Sequence, residues 1–66
     1  MNVHVNGQVE IHESGLTLKG LLAAKNINPN TVACELNMTV VRRANLDAAV
    51  LKDGDVVEII RMIGGG

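Results

Sequence analysis

Asn6-Gly7 stands between Val3 and Val5 on one side and Val9 and Ile11 on the other, and it constrains this chain more than any other feature. A two-residue type I′ turn needs positive φ at both central positions, and Asn-Gly meets that need well. Val3 and Val5 alternate with Asn2 and His4; Val9 and Ile11 alternate with Gln8, Glu10 and His12. A period of two marks strands. The expectation is a β-hairpin over Asn2–His12, closed off by Ser14-Gly15. Whatever core it joins must be aliphatic, because the 66 residues contain no Phe, Tyr or Trp.

Downstream, Thr17 has the chemistry of a helix N-cap, and Leu18, Leu21 and Leu22 follow as an i, i+3, i+4 apolar stripe. Lys25 suits the negative end of the helix dipole, and Asn26 tolerates the left-handed conformation that ends helices. Gly20 inside this helix costs roughly 1 kcal/mol relative to Ala; close packing on the sheet is one reason for a glycine there. Ile27 precedes an Asn28-Pro29-Asn30 turn. Val32, Cys34 and Leu36 alternate with Ala33 and Glu35 as a third strand, Asn37-Met38-Thr39 turns, and Val40-Val41 makes a short fourth. A helical turn within Ala44–Leu51 points Leu46 inward, Lys52-Asp53-Gly54-Asp55 turns again, and Val56–Met62 is the last strand. The order is β-β-α-β-β-β. That is the plan of an α+β protein of the β-grasp (ubiquitin-like) type, a mixed sheet of four to five strands with one main helix packed on one face. The expected core is Val3, Val5, Val9, Ile11, Leu18, Leu21, Leu22, Leu36, Leu46, Val57 and Ile59. One domain over residues 1–63 and a flexible glycine tail over 64–66 account for the chain.

Composition narrows the function. A formal net charge of −1 argues against nucleic-acid or anionic-membrane binding, which needs clustered positive charge. No apolar run approaches the ~20 residues that span a bilayer. The first residues lack a basic region followed by an apolar stretch, so a cytoplasmic location is expected. One cysteine excludes an internal disulfide and a Cys-rich metal site. Cys34 shares a face with Val32 and Leu36 and reads as a buried structural thiol, with no activating basic neighbour in sequence. His4 and His12 read as solvated side chains, since two histidines without a third ligand make no metal site. Ser14 has no Ser-His-Asp context. No metal and no bound cofactor are expected.

Two features point outward. The sequence closes on Ile63-Gly64-Gly65-Gly66. Glycine has no Cβ, so such a tail is thin enough to enter a narrow channel and present its carboxylate to another protein's active site; a frayed end or an expression remnant is the plain alternative. No helix follows the glycines, so they do not form a phosphate loop. In the last strand Val57 and Ile59 share one face, and Val56, Ile60 and Met62 the other. A sheet covered by a helix on one side needs only one apolar face. The second set is therefore a candidate partner-docking patch, against a background in which exposed aliphatics are ordinary. Arg42, Arg43 and Arg61 are candidates to rim that surface, and a scattered set of solvated charges is equally consistent.

Taken together, these segments resemble the ThiS family of sulfur carriers in thiamine biosynthesis. The resemblance is carried by Asn6-Gly7, Thr17-Leu18 with Leu21-Leu22, Val32-Ala33-Cys34-Glu35-Leu36-Asn37, Val40-Val41 with Arg43, and Leu51 through Ile59 before the terminal glycines. Arg42 departs from the pattern, where the family commonly has Pro. The resemblance implies a protein co-substrate and not an enzyme. An E1-like adenylating enzyme would activate the Gly66 carboxylate with ATP. A sulfur donor, charged indirectly by a cysteine desulfurase, would displace AMP, and the resulting thiocarboxylate would pass sulfur to thiazole synthase. Gly64 and Gly65 would thread the partner's channel, and Val56, Ile60 and Met62 would dock. The alternatives are the small subunit of molybdopterin synthase, a carrier serving another sulfur pathway, and a ubiquitin-like module that binds without covalent chemistry.

Overall fold

The computed structural model describes residues 1–62; Ile63 and the glycine tail lie outside the described residues. Five strands form one sheet: β1 (Asn2–Val5), β2 (Gln8–Ile11), β3 (Val32–Leu36), β4 (Thr39–Val41) and β5 (Val56–Arg61). Their spatial order is β2-β1-β5-β3-β4. The central pair, β1 and β5, is parallel, and the other pairs are antiparallel. The helix α1 (Leu18–Ala24) buries Leu18, Leu21 and Leu22, which join Val3, Val5 and Val57 of the sheet in one core cluster. This is the β-grasp arrangement expected from the element order.

The turns form as their residues dictate. Asn6 and Gly7 hold φ of 49° and 84°, and the two-residue loop leaves Val5 paired with Gln8. Thr17 caps α1, its hydroxyl accepting from the Gly20 N–H at 3.0 Å. Asn26, at φ 57°, takes the left-handed conformation just past the helix. At position 20 the nearest neighbour is not the sheet: a Cβ there would lie 2.8 Å from Leu16 Cδ1, the tip of a side chain that can move.

The core differs from expectation at its edges. Val9 and Ile11 are 57% and 82% exposed. The hairpin register is the reason. Val9 lies opposite His4 and Ile11 opposite Asn2; residues directly opposite share a face, so both point away from Val3 and Val5. Leu36 and Ile59 are partly buried and pack against the core without entering it. Two residues complete it. Cys34 is buried as expected, and burial pushes its thiol pKa up, which makes it a poor nucleophile at neutral pH. Leu51 is 2% exposed.

The segment between β4 and β5 holds the expected short helical turn, a 3₁₀ turn at Arg43–Asn45 that begins one residue earlier than Ala44. It is fastened to the start of α1 by backbone bonds: Leu18 N–H to Ala49 O, Lys19 N–H to Leu46 O, and Leu51 N–H to Leu16 O. Those three bonds bring Leu46 and Leu51 into the core.

Candidate docking face and tail root

Because α1 covers one side of the sheet, side chains of the other parity meet no second layer among the described residues. Across this open face His4 sits between Val9 and Val56, Ala33 lies opposite Ile60, and Glu35 lies opposite both Val40 and Glu58. Val40, Val56 and Ile60 are all exposed, as is Met62, which follows β5. Val56, Ile60 and Met62 are 43%, 48% and 47% exposed. Strand parity therefore places the three expected docking residues on the uncovered side or at its lower rim. The open face continues onto Val9, Ile11 and Val40, residues that the sequence reading had not assigned to it.

Within this apolar surface stand two carboxylates. Glu35 and Glu58 are direct cross-strand neighbours, a like-charge pairing that destabilises a sheet on its own. No cation forms an ion pair with either among the described residues.

The strand that leads to the tail is held at its start and in its middle by asparagine side chains. At its start, Asn37 Oδ1 accepts from Val56 N–H at 2.9 Å and its Nδ2 donates to Asp55 Oδ1. Further along, Asn6 Oδ1 accepts from Ile59 N–H at 2.7 Å, and its Nδ2 donates to Ile59 O. Asn6 thus replaces a backbone partner where β1 ends. Both residues adopt positive φ, 49° and 51°, which aims their amides back at β5. Met62 N–H donates to Thr31 O at 3.0 Å, so the chain is still anchored to the fold one residue before the undescribed tail.

The arginines divide. Arg61 has the parity of Val57 and Ile59 and lies opposite Val32. It lines a cleft on the helix side with Asn6, Asn28 and Thr31, not the open face. Arg42 and Arg43 flank the end of β4 beside Met62. Among the described residues no group of three or more His, Cys, Asp or Glu is placed to hold a metal. His12 contacts Glu10 at 2.8 Å and His4 lies on the open face, so the two do not converge. No described helix is long and apolar enough to cross a membrane. Gly64, Gly65 and Gly66 fall outside the described residues.

The chain matches the ThiS family over residues 2–66. It belongs to that family. The thiamine biosynthesis protein ThiS from Geobacter metallireducens superposes with a TM-score of 0.87 at 38% identity, covering all of both chains. A thiazole synthase from Magnetococcus marinus is 42% identical over all 66 residues of this chain, and one from Paramagnetospirillum magneticum is 30% identical over the same span. The chain corresponds to 20% of the length of each of these synthases. Family membership and the whole-chain superposition support a sulfur carrier of thiamine biosynthesis, on a β-grasp scaffold.

Proposed function

We propose that this chain carries sulfur on the main-chain carboxylate of Gly66. The observation that carries the reading is the family match, which runs to residue 66 and so includes the glycines. An E1-like enzyme transfers AMP from ATP to the carboxylate with release of pyrophosphate. A carboxylate is a poor electrophile, and the acyl phosphate makes the carbonyl carbon open to attack. A persulfide supplied indirectly by a cysteine desulfurase then attacks the carbonyl carbon and expels AMP, and a thiol cleaves the resulting acyl disulfide, leaving the thiocarboxylate and a disulfide. Thiazole synthase receives the sulfur. No side chain of the carrier takes part, in keeping with a buried Cys34 and histidines that do not converge.

The fold's part is delivery. A partner that grips Val56, Ile60 and Met62 holds β5, and β5 leads directly to the tail. From Met62 to Gly66 an extended chain reaches at most about 14 Å. Glycines without Cβ atoms let a narrow, water-excluding site close around the reacting bond, where fixed dipoles act most strongly.

The test is pyrophosphate release by the cognate adenylating enzyme with this chain as the varied substrate. The parent chain is expected to support it. Ile60→Asp, which replaces an apolar side chain of the docking face with a charge, is expected to raise the half-saturating concentration at least about tenfold. Its fold should survive, at a cost of about 1 kcal/mol in strand preference. No release with the parent would contradict adenylation; unchanged saturation with Ile60→Asp would remove the open face from docking.

A further inference from the structure

β4 is short. It pairs with β3 at Leu36, Glu35 and Cys34 and stops at Val41. Past that point, among the described residues, Val32 and Ala33 are paired only with β5, through Arg61 and Ile60. At Arg42 the chain turns away with φ −67° and ψ 152° into the 3₁₀ turn. The gap left beside β3 is an open notch of about 180 Å³, its walls including Pro29, Val32, Ala33, Val40, Arg42 and Met62. It is apolar apart from its cationic rim, and it sits beside Met62 at the root of the tail.

Arg42 and Arg43 are exposed, and neither forms an ion pair among the described residues. A guanidinium is more weakly hydrated than an ammonium and so gives up water to a partner more readily. It presents a planar fork that fits a carboxylate with two parallel hydrogen bonds. The hollow itself has room for one aliphatic side chain.

We propose that this notch is a specificity site for thiazole synthase, filled by a surface loop of that enzyme that carries an aliphatic side chain next to an Asp or Glu. The side chain enters between Ala33, Val40 and Met62, and the carboxylate pairs with Arg42. This rests on the carrier reading above for the partner's identity. The partner is favoured because relatives of this chain carry the matching segment within thiazole synthases. The occupant's chemistry is set by the notch: apolar inside, cationic at the rim. Contact at the tail root has a mechanical consequence. It fixes the point from which the tail departs, so it controls where the terminal carbon arrives.

Arg42 is well suited to substitution. Its φ is that of proline, its N–H donates to no backbone carbonyl among the described residues, and Val41 before it is already extended, as a residue preceding proline must be. Arg42→Pro therefore removes the charge and leaves the backbone as it is, and Arg42→Glu reverses the charge. The experiment is calorimetric or spectroscopic titration of purified thiazole synthase with the full chain, alongside melting curves and sedimentation of each variant. The expected result is unchanged melting temperatures, several-fold weaker binding for Arg42→Pro and about tenfold or more for Arg42→Glu. The gap between parent and Arg42→Glu should narrow as salt is raised. Equal affinity of parent and Arg42→Glu would overturn the notch proposal while leaving the carrier reading intact. A parent that fails to bind thiazole synthase at all would overturn both the notch proposal and the partner assignment, while pyrophosphate release would still report on adenylation. A parent that sediments as a dimer, with Arg42→Glu a monomer, would assign the notch to a second copy of the chain and overturn the proposal.

Discussion

Glu10 shows how much one side chain on the edge strand can do. It lies opposite Val3, on the helix side of the sheet, and its carboxylate receives Lys25 Nζ from the end of α1 and contacts His12 Nε2 at 2.8 Å. The hydrogen bond from Lys25 is the main reason its pKa falls below the ordinary 4.5; burial opposes it, and His12 adds a smaller lowering effect. The sign follows. A carboxylate with a depressed folded pKa stabilises the fold fully above its unfolded value. That contribution is lost as pH falls below 4.5 and through the folded pKa. Glu10→Gln is therefore expected to melt lower than the parent at neutral pH, and the difference should shrink as the pH is taken down through that range. A pH-independent difference would mean that Glu10 acts through packing and not through its charge. Little of this was legible beforehand, because the contact between residues 10 and 25 depends on how the helix crosses the sheet. Gly20 is similar: its close neighbour is Leu16, a residue outside the helical stripe.

At the scale of elements, local chemistry specified more. Asn6-Gly7, the Thr17 cap and the leucine stripe each act within a few residues, and each forms as expected. The hairpin's register was also available in principle. A two-residue loop makes residue 5 face residue 8, which puts Val9 and Ile11 on the side opposite Val3 and Val5; alternation read strand by strand missed this. Leu51 could not be found by periodicity, since a lone leucine in a loop has no period. Backbone bonds to Leu16 and from neighbouring residues bring it inward. These assignments predict two contrasting variants. Leu21→Ala, at a fully buried helix position, should cost about 2–5 kcal/mol. Ile11→Thr, on the open side, should change stability by no more than about 0.5 kcal/mol. Denaturant unfolding measures both, and a large loss at Ile11 would mean that its face is covered.

For the whole molecule, the sheet's two faces differ in cover. One is closed by α1 and the fastened loop. The other presents Val9, Ile11, Val40, Val56 and Ile60 around Glu35 and Glu58, which form no ion pair among the described residues; on the proposed reading it is the face a partner would grip. The β5 part of this face was legible from parity. The notch beside Arg42 was not, because it exists only where β4 stops, and no local pattern fixes that point. The parity of Arg61 with Val57 and Ile59 was readable and places it on the helix side. All of this converges on a tail that leaves from the end of the central strand. The decisive measurement is the intact mass of the full chain after incubation with ATP, the cognate adenylating enzyme and a sulfur source. One oxygen replaced by sulfur, located by fragmentation at Gly66, is the expected result. Deleting Gly66 should sharply reduce conversion, since the shift of ~3.5 Å in the carboxylate far exceeds the ~1 Å that can cost ~100-fold in rate. An unmodified parent chain, or sulfur found on Cys34 in place of Gly66, would contradict the carrier reading.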